Sequence, residues 1–61
     1  MSGEELRKWR IEHDLSQEEL AYLLGVNQKT ISLWELENRT PPIYLPLLLE
    51  YLEIRGFVYL S

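Results

Sequence analysis

Gln28, Lys29, Ser32 and Leu33 are the residues of this chain whose types and spacing most invite chemistry. At helical pitch they fall along one outer face. A glutamine amide carries a donor and an acceptor side by side, the pair that adenine presents in the major groove of a duplex. A lysine ammonium donates to guanine or to phosphate, a serine hydroxyl serves either partner, and a leucine can meet a thymine methyl. An exposed polar face on any small helical domain would have a similar composition. What singles this one out is its place, on the second of two short helical patterns joined by a tight turn.

Other chemistries find little support. The chain has 61 residues, no cysteine and one histidine, His13. Without cysteine there is neither a disulfide framework nor a thiolate metal site. His13 has no second soft ligand nearby in sequence, so it reads as a surface or helix-end residue. The ten acidic residues show no paired arrangement for acid–base work. No Gly-rich phosphate loop or nucleophile–base set occurs. This argues against an enzyme and calls for no cofactor, metal or small-molecule ligand. No apolar run approaches the ~20 residues of a membrane helix, and the charged stretch over residues 2–10 is unlike a signal peptide. A cytoplasmic protein with no membrane partner is the expectation. The formal net charge of -4 runs against the basic surface common in nucleic-acid binders. Distribution matters more than the sum, however. Glu4, Glu5, Glu50 and Glu53 lie toward the chain ends, whereas Lys29 and Arg39 bracket the second helix of the motif.

The elements that must position these residues read as helices of one domain over residues 1–61. A first helix is expected over about residues 3–13, with Leu6, Trp9, Arg10 and His13 on one face. Asp14 and Leu15 break the pattern. Ser16 then opens a capping box with Glu19, and Leu20, Ala21 and Leu24 point inward. Gly25 ends this helix because it tolerates the left-handed conformation of a tight turn. Val26 anchors the turn in the core and Asn27 caps the next helix. Ile31 and Trp34 supply that helix's inner face. The motif, about residues 16–36, has the pattern of a helix-turn-helix, which presents its second helix to the major groove. A polar loop of Glu37, Asn38, Arg39 and Thr40 follows, closed by Pro41 and Pro42. Thr40 or the prolines set the start of a fourth helix, with Pro46 in or near its first turn. Leu45, Leu48, Leu49 and Leu52 form a core stripe, Gly56 is a stop, and residues 57–61 are a short apolar tail.

These residues resemble the Cro/C1-type (XRE-type) helix-turn-helix family, which includes the lambdoid phage repressors and Cro proteins. The likeness rests on Leu6-Arg7-Lys8-Trp9-Arg10, on the Leu15-Ser16-Gln17-Glu18-Glu19-Leu20-Ala21 run with Leu24-Gly25-Val26, and on Thr30-Ile31-Ser32 with Trp34-Glu35. It covers about residues 4–53. It implies an all-α, compact four- to five-helix bundle of the lambda-repressor-like type, and double-stranded DNA as partner. It also implies phosphate contacts from Gln17, at a helix start that itself favours an anion, and from the loop residues Asn38, Arg39 and Thr40. Asn27 joins this phosphate group, with a capping role open beside it. Arg10 and Glu35 match the family's ion pair between the first and third helices. The family usually has a glycine shortly after the Glu35 position. Here Leu36, Glu37 and Asn38 occupy that stretch, and Asn38 is expected to take the left-handed position.

Leu47 and Tyr51 fall outside the fourth helix's core stripe. With Phe57, Val58, Tyr59 and Leu60 they leave apolar surface that so short a chain has trouble covering. A two-fold homodimer through these six residues is the expectation. Two such subunits suit a palindromic operator and a transcriptional repressor. The alternatives are a protein-interaction module, such as an antitoxin or accessory subunit, and a structural domain cut from a larger protein.

Overall fold

The structure is a computed structural model that describes residues 1–56. Its four helices are α1 (Gly3–Glu12), α2 (Gln17–Leu24), α3 (Gln28–Glu35) and α4 (Leu45–Arg55). No strand occurs among the described residues, in keeping with the all-helical expectation. The tail residues Phe57, Val58, Tyr59 and Leu60 lie outside the described residues.

Local sequence sets most helix ends. Ser2 caps α1 and Ser16 caps α2 in two like capping boxes. In each, the serine hydroxyl accepts from the backbone N–H three residues on, and Glu5 or Glu19 accepts in return from the serine N–H. That returning hydrogen bond, from the Ser2 N–H, holds the Glu5 carboxyl below its usual pKa. Gly25 and Gly56 close α2 and α4 in the left-handed conformation, both at φ 74°, where a side chain would crowd the backbone. Asn27 caps α3, its Oδ1 accepting from the Thr30 N–H at 2.9 Å.

α3 packs on both α2 and α1. The core lies between them: Leu6 from α1, Leu20 and Ala21 from α2, and Ile31 and Trp34 from α3 are all buried. Leu15, in the break between α1 and α2, is buried beside them, while Val26 packs half-buried against the cluster. α4 covers the remaining side with Leu45, Leu49 and Leu52. Burying each such leucine contributes about 1.5–3 kcal/mol.

Three expectations require correction. α4 begins at Leu45 rather than near Thr40 or the prolines. The chain first turns through Ile43 and Tyr44, where the Pro42 carbonyl accepts from the Leu45 N–H, and that turn places the helix start beyond the prolines. Pro46 does fall in the first turn. Leu48 is exposed rather than core, because this 11-residue helix buries only the narrow row at i, i+4 and i+7. Glu37, not Asn38, takes the left-handed position after α3, at φ 61°. Its carboxylate reaches back to accept from the Gly3 N–H at 3.3 Å, so a contact made across the fold selects the residue.

Candidate nucleic-acid interface

The site is built outward from one part-buried ion pair. Arg10 of α1 meets Glu35 at the end of α3 in a two-pronged contact, Nε to Oε2 at 2.6 Å and Nη2 to Oε1 at 3.0 Å. The Glu35 side chain is 3% exposed and that of Arg10 13%. The Arg10 Nη1 also donates to the Leu15 carbonyl at 2.9 Å. Hydrogen bonding to Glu35 raises the Arg10 pKa above its ordinary value. The guanidinium therefore stays charged throughout any usable pH range. One side chain thus ties together α1, the break after it, and α3.

Glu35 also orders the polar residues outside it. Its Oε1 accepts from the Gln17 Nε2 at 3.1 Å. A carboxylate only accepts, so the Gln17 amide must turn its nitrogen inward and its oxygen outward. That oxygen then accepts from the Gln28 Nε2 at 2.5 Å, which fixes the Gln28 amide in turn. Each amide nitrogen has a second proton, and the Gln28 carbonyl oxygen remains an acceptor. Gln28 therefore keeps one donor and one acceptor, the set a two-pronged adenine contact uses.

The structure brings some of the candidate residues together and leaves others apart. Gln17, at the start of α2, meets Gln28, at the start of α3. Lys29 is exposed on the first turn of α3, while Ser32 and Leu33 are half-buried on its flank. The Asn27 oxygen is engaged in capping Thr30, from both its N–H and its hydroxyl, which leaves the amide nitrogen as a donor. Asn38, Arg39 and Thr40 are exposed in the loop beyond α3. Leu47 and Tyr51 are exposed on α4, well outside the polar line.

Sequence reasoning passed over two contributors. Gly3 lies where a Cβ would stand 2.2 Å from the Trp34 carbonyl oxygen and 2.7 Å from that of Glu35. The start of α1 thus presses on the end of α3. The Ser2-x-x-Glu5 pattern gave a signal for that start, but nothing local marks what it touches. His13, expected at a helix end, does cap α1, and it is not isolated. It stacks on Trp9 with centroids 4.1 Å apart and its Nε2 lies 3.2 Å from Glu53 of α4.

Two short helices joined through Gly25, with a polar face on the second and its far end anchored by an ion pair, define a helix-turn-helix domain. The chain matches the helix-turn-helix family model over residues 6–56 and belongs to that Cro/C1-type family of DNA-binding regulators. Neither the curated proteins nor the solved structures contain a significant match to it. Among the described residues, no helix is long and apolar enough to cross a membrane.

Proposed function

We propose that the chain is a sequence-specific transcriptional repressor that binds a palindromic operator as a homodimer in the cytoplasm. The observation that carries this reading is the hydrogen-bonded line from Arg10 through Glu35 and Gln17 to Gln28. It joins the structural ion pair to a reading amide and fixes that amide's polarity before DNA arrives, which lowers the ordering cost of binding. Gln28, Lys29, Ser32 and Leu33 are the base contacts. Gln17, Asn27, Asn38, Arg39 and Thr40 meet phosphates, which position the domain without reading sequence. Two copies place two α3 helices in major grooves about 34 Å apart, or multiples of that. Repression follows from occupying a promoter.

Selection of bound duplexes from a random pool by the purified chain tests this. The expected product is a two-fold repeated half-site, bound in a salt-sensitive manner. A pool that never enriches, with no salt-sensitive binding to any duplex, refutes it. That result would favour the second reading, an antitoxin-like or accessory protein-interaction module. The net charge of -4 and the exposed apolar residues of α4 support that alternative.

A further inference from the structure

We propose that His13 is a pH-sensitive latch, which fastens α4 to the end of α1 when its imidazole carries two protons. The inference stands apart from the DNA reading and rests on what surrounds the ring. Its Nδ1 lies 2.8 Å from the Trp9 carbonyl oxygen. A backbone carbonyl only accepts, so Nδ1 must hold a proton and donate it. In a neutral imidazole that leaves Nε2 as a bare acceptor. Yet Nε2 lies 3.2 Å from the Glu53 carboxylate, and an ionised carboxylate only accepts as well. An acceptor at each ring nitrogen is satisfied by one species alone, the imidazolium, in which both nitrogens donate.

Two further features favour the charged ring. His13 is the C-cap of α1, where the helix dipole attracts a cation. It is also stacked on Trp9, with centroids 4.1 Å apart and planes 24° from parallel, and an indole face attracts positive charge. The charged groups near the ring are mostly acidic. Glu53 faces it from α4. On the α1 side, Glu12 and Asp14 flank it in sequence and are exposed, while the Arg10 guanidinium is turned to Glu35. Glu53 directly follows Leu52, the last residue of the buried row of α4, so the latch closes at the end of the row by which that helix packs. An imidazole in an unfolded chain takes its second proton near about pH 6.5. The latch is therefore closed at about pH 5.5 and open by about pH 8, where Nε2 has lost its proton and turns a lone pair to the carboxylate.

Denaturant unfolding of the full chain at those two pH values tests this, with His13→Gln, Glu53→Gln and the double variant completing a cycle. Neither side chain is fully buried, at 24% and 49% exposure, and circular dichroism verifies that each variant keeps its helix content. At the lower pH the cycle should show the two residues coupled, by roughly two- to fivefold in the folding equilibrium constant. At the higher pH the coupling should vanish. Carboxylates elsewhere titrate alike in all four chains and cancel. Nitrogen NMR of the chain's one histidine gives a second reading. At the higher pH its remaining proton should sit on Nδ1, held there by the Trp9 carbonyl. Coupling that is absent at the lower pH, or equal at both, overturns the proposal. So does a remaining proton found on Nε2, since the neutral ring would then donate to Glu53 without any acid.

Discussion

An amide can discriminate between bases only if it is held one way round, and here a carboxylate does the holding. Glu35 sits two hydrogen bonds from Gln28, and each link transmits a donor-to-acceptor direction. Gln28→Ala should therefore weaken binding to a selected operator by about 1–3 kcal/mol while leaving a scrambled duplex almost untouched. Titration of both duplexes measures this, and equal loss on the two would remove the reading role. Glu35→Ala acts deeper. It takes the carboxylate away from Arg10, which keeps its hydrogen bond to the Leu15 carbonyl, and leaves Gln17 without its inner acceptor. We expect a loss of about 1–3 kcal/mol in stability, read from the denaturant midpoint. An unchanged midpoint would mean that the pair contributes nothing to holding α3 against α1.

At the scale of helices, the contact between the start of α1 and the end of α3 sets how α3 is held. Gly3→Ala poses a contest of signs there. Alanine favours a helix over glycine by about 1 kcal/mol. Its Cβ, however, would lie far inside contact distance of two backbone carbonyls, and backbone cannot turn aside as a side chain can. Overpacking of this kind costs about 1–3 kcal/mol, so the variant should melt at a lower temperature than the parent. A higher melting temperature would show that helix propensity wins and that α1 can shift freely. The same contact explains the loop after α3. Glu37 adopts left-handed angles that ordinarily favour glycine or asparagine, and its hydrogen bond to Gly3 compensates for part of that cost. The family's usual glycine in this stretch and asparagine's tolerance of left-handed angles had pointed to Asn38.

For the whole molecule the governing problem is charge. A chain of net charge -4 must approach a polyanion, so attraction has to come from where its few cations sit. Lys29 and Arg39 are exposed on and just beyond α3. Arg10 is committed to Glu35, and Arg55 lies on α4 beside Tyr51. Few cations near the proposed phosphate contacts imply a shallow dependence of affinity on salt and weak non-specific binding. Arg39→Ala should weaken binding to operator and scrambled duplex alike and reduce the salt slope by roughly one unit per subunit. Affinities measured across a salt series decide this. A slope equal to the parent's would place Arg39 away from the phosphates. In the proposed dimer, pairing two subunits would supply what each lacks, since it would double both the phosphate contacts and the base contacts.

The sequence by itself determined what short-range physics controls. Ser16 with Glu19, Gly25, Asn27 and Gly56 mark helix ends because caps and left-handed turns depend on residues within one helical turn. The rows Leu20–Ala21 and Ile31–Trp34 expose the inner faces of α2 and α3 through periodicity alone. Gln17, Gln28 and Glu35 were likewise legible as parts of the helix-turn-helix motif, and the family resemblance implied the pairing of Arg10 with Glu35. Tertiary structure decided whatever depends on a partner distant along the chain. It linked Gln17 to Gln28, chose Glu37 over Asn38, set Gly3 against α3 and joined His13 to Glu53. It also narrowed the buried row of α4 to Leu45, Leu49 and Leu52 and turned Leu48 outward. A helix's own sequence gives the angular position of each side chain, but how wide a face is covered depends on the shape of what it rests upon.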